Sequence, residues 1–484
     1  MTEVGLESAV EIKRSKRLKG QPILQGDGLA GFQALLLSCL AEGPSRLENL
    51  PTTPWFQDVM EDFIRMGYAQ QALDGQWLIH GGNAPVSGPE PLRVRHEAEL
   101  LPLAAFLASQ GCQRTLEVNT DCVSGEALEI LEKILLLEKT PVLESHLENE
   151  DETFLVESPK GLTPRAMALL RNSGTPTGGS AKPTDLGWDD YLAKLTLLTY
   201  HISAGQSLDL SLTRSGPDLM EGLAAQFELP IKIERNEIPE GDELARRIAR
   251  QMRAAGKTEP LIRLRLAAGA KPKPQTYSIP ADLTQASAFC LAATLIKGSD
   301  ITLENIPLNP SRAGFITALR RMGADIEVVS RRERQGEGFG LLRIRTAELI
   351  GKRFGVDNIS AMRDEIFLLM VAAAFAEGET VIRDIAHLRR HRRDLLKVFV
   401  ANLRSAGVEI GEIEDGLVIR GRADYDGSAY DALGNPGLGL ACLVMGLKSH
   451  GTSLLWGATC LSGKYPDMLE QLANLGDAGP GEKP

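Results

Sequence analysis

At 484 residues the chain is long enough for two domains. Apolar residues make up 43% and charged residues 24%, the balance of a soluble globular protein, while aromatics are only 5%, so aliphatic side chains must build the cores. The formal net charge of −11 weighs against a nucleic-acid partner, which needs a broad basic surface, but leaves room for a small anionic ligand in a local basic pocket. Six cysteines contain no CxxC pair, and Cys39, Cys290 and Cys442 lie in apolar helical runs as small core residues, which fits a reducing, cytoplasmic setting. Seven histidines have no metal-ligand spacing, so no metal is expected. No run reaches the ~18–20 apolar residues of a membrane span, and the first residues contain no apolar signal region.

In chain order, the basic segment Lys13–Lys19 reads as an exposed arm or as a first strand crossing between domains. Ala34–Leu40 is an apolar helix ended by Glu42-Gly43; Ser45–Leu50 is a strand, and Phe56–Met66 a helix ending at Gly67. Glu97–Ala108 is a second apolar helix with a strand at 116–118, and Tyr191–His201 a third, followed by a strand at Leu208–Leu212. Ser173–Pro183 is a Gly/Pro/Ser/Thr loop, and Ala267–Thr276 reads as a linker between halves. Tyr277–Ile326 is the clearest stretch. A Pro-Ala-Asp turn precedes a helix over Ala286–Ile296 that is apolar on nearly every face, with Thr284 placed to cap it. Lys297-Gly298 ends that helix; a strand at Ile301–Ile306, an outer helix from Asn309 to Met322-Gly323 and a further strand follow. Arg332–Gly340 reads as a hairpin-like turn region, and the tail 476–484 as frayed.

The same unit recurs with Ile366–Ala376, Gly378, Thr380–Ile385 and an outer helix ending at Gly407. It recurs again with Leu438–Leu447, Gly451, Thr452–Trp456 and a helix ending at Gly476. Near-constant spacing between paired glycines identifies an internal repeat, and six copies fit the length.

Several strings resemble the EPSP synthase family, the enolpyruvyl transferases of the shikimate pathway. They are Ala41-Glu42-Gly43-Pro44-Ser45-Arg46, Pro280-Ala281-Asp282, Leu308 to Gly314, Met322 to Ile326, Asp364-Glu365-Ile366 with Ala372 to Gly378, and Tyr465-Pro466-Asp467. The resemblance implies an α/β fold of two domains, each of three repeated units of buried helix, strands and outer helix around a pseudo-threefold axis, with the ligand between them. The expected boundaries are 1–20 plus 276–484 for one domain and 21–275 for the other. The implied reaction moves the enolpyruvyl group of phosphoenolpyruvate to the 5-hydroxyl of shikimate 3-phosphate, releasing phosphate without a metal or cofactor, in a cytoplasmic monomer. Phosphoenolpyruvate and shikimate 3-phosphate are then the partners, with no nucleic acid and no membrane.

That chemistry needs cations for two multiply anionic substrates, a carboxylate for the hydroxyl proton, and an acid or cation at the methylene carbon. By the resemblance Asp364 is the catalytic carboxylate; it also reads as a helix cap. Arg389, Arg392, Arg393 and Lys464 are the substrate-binding candidates; the run Arg389–Arg393 reads equally as a solvated face or as pairing with the acidic surplus. Elsewhere the family's motifs are replaced. The Gly-Asp-Lys-Ser-x-Ser-x-Arg loop is Gly26-Asp27-Gly28-Leu29-Ala30-Gly31-Phe32-Gln33, so the lysine position is Gly28. The arginine of Asn-Ala-Gly-Thr-x-x-Arg falls on Leu101, Ser-Ser-Gln on acidic residues at Asp189-Asp190, and Asp-His-Arg on Asn435-Pro436-Gly437. In Lys-Ser-x-Pro, the lysine appears one place late, as Lys464. The readings that follow are an EPSP synthase-like transferase with a rebuilt anion site or, as alternatives, a catalytically silent paralogue that binds, scaffolds or regulates, or a transferase with a changed anionic substrate.

Overall fold

The computed structural model describes residues 9–71, 76–86, 88, 90–94, 97–110, 112, 115–119, 142–146, 153–157, 188–212, 218–235, 262–334, 337–389 and 394–477. The chain divides into two compact units: unit 1 joins Met1–Asp27 to Pro280–Pro484, and unit 2 is Gly28–Ile279. These junctions fall a few residues beyond positions 20 and 276 for a reason visible in the backbone. The Asp27 N–H donates to the Pro280 carbonyl at 2.8 Å and Gly26 bridges Ala281, tying 21–27 to unit 1.

The chain opens with strands β1 (Val10–Lys13) and β2 (Lys19–Gly20), both in unit 1, so the basic segment forms strands at both ends. Unit 2 then runs α1 (Gly28–Leu40), β3 (Gly43–Glu48), α2 (Pro54–Arg65), β4 (Ala69–Gln71), β5 (Trp77–Gly81), β6 (Leu92–Val94), α3 (Glu97–Ser109), β7 (Thr115–Asn119), β8 (Val142–His146), β9 (Thr153–Glu157), α4 (Trp188–Ser203), β10 (Leu208–Leu212), α5 (Leu219–Gln226), β11 (Ile231–Arg235), β12 (Ile262–Leu266) and β13 (Thr276–Ser278). Its sheets are ordered β13-β3-β5-β4, β6-β7-β9-β8 and β10-β12-β11. The loop expected at Ser173–Pro183 lies outside the described residues.

The second part of unit 1 holds α6 (Leu283–Leu295), β14 (Asp300–Pro307), α7 (Gly314–Arg321), β15 (Asp325–Arg334), β16 (Glu337–Arg345), β17 (Arg353–Phe354), α8 (Val356–Ile359), α9 (Glu365–Ala374), β18 (Glu379–Ile382), a 3₁₀ turn (Ala386–Arg389), α10 (Leu395–Ser405), β19 (Glu409–Ile413), β20 (Gly416–Arg420), β21 (Ala429–Asp431), α11 (Pro436–Lys448), β22 (Thr452–Trp456), α12 (Thr459–Lys464) and α13 (Met468–Asp477). The sheets are β15-β16-β14-β2, β17-β18-β20-β19 and β1-β22-β21. Each unit therefore carries three helix-and-sheet repeats around its own aliphatic core.

Helices α6, α9 and α11 are buried along almost their whole length. A helix buried on every face must satisfy its polar side chains internally. The Thr294 hydroxyl donates to the Cys290 carbonyl at 2.8 Å, and in α1 the Ser38 hydroxyl donates to Ala34 at 2.7 Å. The last-turn carbonyls also need donors. These come from residues just past a closing strand: Gly82 N–H to Cys39, Ala347 N–H to Thr294 and Arg422 N–H to Ala374. For α11 the donor is the Ser15 N–H, to Leu447 at 2.9 Å, which gives the basic arm a structural role. The outer helices are amphipathic: α2 buries Phe56, Val59, Met60 and Phe63, and α7 buries Phe315, Ile316, Ala318 and Leu319.

Gly298 at φ +78° and Gly323 at φ +107° adopt the left-handed backbone that ends a helix without a Cβ clash. Three expectations change. Asp282, not Thr284, caps α6, accepting the Gln285 N–H at 2.8 Å. The outer helix expected from Asn309 starts only at Gly314, after a turn in which Asn309 accepts from Arg312 and Ala313. Helix α13 passes through Gly476 to Asp477. The segment from Arg332 is strand on both sides of residues 335–336.

Candidate active site

The N-terminal ends of α6, α9 and α11 meet. The Thr284 hydroxyl in the first turn of α6 donates to the Glu365 carboxylate in the first turn of α9. A Cβ on Gly437, in the first turn of α11, would collide with the Cβ of Asp364, so glycine is what lets α11 approach α9 here. Asp282 and Asn435 cap their helices through side-chain bonds, Asn435 accepting the Leu438 N–H at 2.9 Å. Asp364 occupies the same position on α9 but makes no side-chain cap bond, so the capping role considered for it is not the one its carboxylate performs. Three helix N-termini converging in this way favour negative charge, on the protein or on a ligand.

That carboxylate lies 3.5 Å from the Lys464 ammonium, at the end of α12, and both side chains are about a quarter exposed (27% and 25%). Two candidates separated by 100 positions in the chain are thus brought together. The pair is too exposed and too long to contribute more than about 0–1 kcal/mol to stability. Lys464 also lies 5.6 Å from the Tyr465 ring, and its carbonyl accepts from the Gln25 amide at 2.7 Å.

Behind this pair the cluster is buried. Asp27 and Arg312 form an ion pair at 2.8 Å with 7% and 8% exposure. The hydroxyl of fully buried Tyr465 donates to Asp282 at 3.4 Å. Burial first, and the Asp27 carboxylate second, push the Asp282 carboxyl up to about 6, against the pull of Lys464, its Gln285 N–H bond and Arg363. Burial likewise raises Tyr465 well above the usual phenol range. Burial works against the charge on Arg363, yet the carboxylates of Asp364, Asp27, Glu365 and Asp282 outweigh it and hold its pKa above the ordinary value. Glu365 is anchored by the Thr284 hydroxyl and by the Arg363 N–H at 2.6 Å.

Arg389 ends the 3₁₀ turn and pairs with Glu412 of β19 at 3.0 Å; Arg404 shares that carboxylate at 3.2 Å. This is the pairing with acidic surplus that the sequence left open. Arg392 and Arg393 lie outside the described residues. Arg363 directly precedes Asp364 but belongs to no motif that marks it in the sequence, and Thr284 holds Glu365 rather than capping its own helix.

In unit 2, Gly28, at the family's lysine position, begins α1. A Cβ there would stand 2.5 Å from the Trp55 ring, and the Trp55 indole N–H donates to the buried Glu99 carboxylate at 3.0 Å. Phe56 and Pro51 press on Gly31 one turn later. The first turn of α1 is therefore covered by the start of α2, with a carboxylate on α3 anchoring the indole.

Cys39, Cys290 and Cys442 are buried, and burial pushes all three thiols up, Cys290 to about 12. Among the described residues no group of three or more His, Cys, Asp or Glu side chains is arranged to hold a metal, and no helix is long and apolar enough to cross a membrane.

A family model described as EPSP synthase (3-phosphoshikimate 1-carboxyvinyltransferase) matches residues 249–472. A 3-phosphoshikimate 1-carboxyvinyltransferase of Synechococcus sp. (strain JA-3-3Ab) is 39% identical over 201 residues, 42% of this chain and 45% of that protein. One from Desulforamulus reducens is 34% identical over 203 residues, 42% and 47%. The matched stretch thus spans about half the length of these curated relatives. The structure of EPSP synthase from Acinetobacter baumannii superposes with a TM-score of 0.71 at 21% identity, covering 96% of this chain and 97% of that one. That of the enolpyruvyl transferase NikO from Streptomyces tendae gives 0.64 at 17% identity, covering 97% of each. At these identities the structural likeness shows the fold alone: a two-domain α/β fold of the enolpyruvyl transferase type.

Proposed function

We propose that this chain, which matches the EPSP synthase family model over residues 249–472 and has the enolpyruvyl transferase fold, is a transferase of that family acting on small anionic substrates, phosphoenolpyruvate and shikimate 3-phosphate. The observation that supports it is the Asp364–Lys464 pair, partly exposed where three helix N-termini converge. In this reading Asp364, ionised beside Lys464 and Arg363, takes the proton of the acceptor hydroxyl as its oxygen bonds to the substituted enol carbon. The ammonium of Lys464 faces the anionic substrate and moves a proton at the methylene carbon, first on and then off as phosphate leaves. The convergent helix dipoles and Arg363 hold substrate charge at no reorganisation cost.

Phosphate release from the two substrates tests this, with Asp364→Ala as control. Turnover that falls by a factor of about 100 or more in the variant supports the assignment, the usual scale for a positioned acid or base. Turnover unchanged by the substitution removes Asp364 from it.

One observation favours a second reading, a catalytically silent paralogue. Gly28 stands where the family has lysine, and Trp55 fills the space a side chain there would need. Calorimetry separates the two: a silent binder takes up shikimate 3-phosphate without releasing phosphate, and a protein that binds neither substrate excludes the transferase.

A further inference from the structure

The two edges of the sheet β15-β16-β14-β2 differ. Strand β2 is two residues long, whereas β15 runs for ten, Asp325–Arg334, and pairs only with β16. The Arg320 guanidinium donates to the Ile326 carbonyl at 2.9 Å and closes the start of the open edge. From Glu327 to Glu333 every residue is exposed, and among the described residues no backbone bond from another element covers that stretch. At its centre stand Val328 and Val329, 37% and 50% exposed. A long edge strand with exposed apolar residues is a template for pairing unless its charges forbid it. Here their order permits it: the first half carries Asp325 and Glu327, the second Arg331 and Arg332. Two copies laid antiparallel set the acidic half of each against the basic half of the other, the self-complementarity that a two-fold interface requires. The neighbouring edge strand β19 has Glu409 and Glu412 and no cation, so two copies of it repel. The Arg331 guanidinium lies over β16, 3.1 Å from where a Cβ on Gly338 would stand. Neither Arg331 nor Arg332 forms an ion pair with a described residue, and Arg345, which holds Asp325 at 2.8 Å, reaches Glu327 only at 3.4 Å.

We propose that β15 is a docking edge for a second copy of this chain: the two β15 strands pair antiparallel about Val329, with Glu327 of each copy opposite Arg331 of the other and the exposed valines covered between them. The same register brings Asp325 near Glu333, and the two Arg345 bonds to Asp325, at 2.8 and 3.1 Å, offset that like-charge contact. The bulge between Val328 and Ser330 confines the regular ladder to a few residues on either side. One strand pair is at the small end of protein interfaces, so the dimer is weak, with a Kd of roughly 10 µM to 1 mM. The inference is independent of the transferase reading and stands against the monomer implied by the resemblance.

Sedimentation equilibrium of the full chain, from about 1 µM to about 1 mM, tests it on wild type, Glu327→Arg, Arg331→Glu and an equimolar mixture of the two variants. Wild type should pass from monomer to dimer across that range. Each variant alone sets like charges opposite each other and should dimerise at least about tenfold more weakly. In the mixture the two cations of one copy face the two carboxylates of the other, so the mixed dimer should return to within about threefold of wild type. A wild-type chain that stays monomeric throughout overturns the proposal, whether its edge is solvated or takes a different partner. So does a dimer that neither substitution weakens, or a mixture that associates no better than its components. Should either variant fail to fold, hydrogen exchange of the wild-type amides 327–333 decides instead. Their protection rises with protein concentration if β15 pairs, and protection that does not change with concentration overturns the pairing.

Discussion

Lys464 stands one residue later than the family's lysine, at the last position of a short helix, and its ammonium still reaches Asp364. A flexible four-carbon stem can absorb a one-residue shift that a shorter side chain could not. The string Asp364-Glu365-Ile366 made the carboxylate legible in the sequence, but its place beside Asp27, Asp282, Arg312 and Lys464 was not, because only the fold brings them into one cluster with it. No spacing rule links them. Gly437 shows the same limit: at its position the family places an arginine, and only the close approach to Asp364 explains a glycine. Gly437→Ala should therefore destabilise the protein by about 1–3 kcal/mol through overpacking. Gly463→Ala, in open space on α12, should stay within about 1 kcal/mol of wild type or gain stability. Urea unfolding of the two variants checks the contrast.

At the scale of elements the repeat was readable, since each buried helix is apolar all round and most end at a glycine whose backbone only glycine adopts cheaply. The caps were less so. Thr284 reads as the cap of α6, yet Asp282, two positions earlier, takes that role, and the Thr284 hydroxyl goes instead to Glu365 of another repeat. Asp282 as the cap has a cost, because its carboxyl is buried and raised to about 6. A carboxyl raised on folding from its ordinary value near 4 lends stability that is complete below that value and is lost as pH rises through 6, at most about 3 kcal/mol here. Asn accepts the same N–H without the charge. Asp282→Asn should therefore match wild type near pH 4 and melt higher at pH 8, while Asp282→Ala should lose about 0.5–2 kcal/mol of capping at acid pH, where the charge penalty is absent from both. Melting temperatures across pH 4–8 decide it.

Across the whole molecule, similarity to the family is uneven in a way the structure makes physical. Most of the strings that match lie in helices, glycine turns and strands of unit 1, with Ala41-Glu42-Gly43-Pro44-Ser45-Arg46 in unit 2, and apart from Asp364-Glu365 they serve packing. In unit 2 the first turn of α1 is covered by Trp55, Phe56 and Pro51, and Glu99 holds the indole in place. Asp62, buried there and accepting the Arg93 N–H at 2.8 Å, is also pushed up to about 6 by burial. Among the described residues each unit thus contains an aspartate whose titration favours mildly acid conditions, and the wild-type chain should unfold at a higher urea concentration at pH 5 than at pH 8. A midpoint that rises steadily to pH 8 would contradict this.

The pairing of β2 with β14 and of β13 with β3 has a consequence for synthesis. In the repeats built on α3, α9 and α11, the strand before the buried helix runs parallel to the strand after it. At α1 and α6 the two leading strands are exchanged: β2 joins the strand after α6, and β13 the strand after α1. Unit 2 is closed as soon as β13 leaves the ribosome, whereas β2 must wait for β14 and β1 for β22, the last strand among the described residues. The nascent chain therefore holds its own first strands unpaired while a whole unit folds behind them, and the last repeat to be made is the one that finally secures the beginning of the chain.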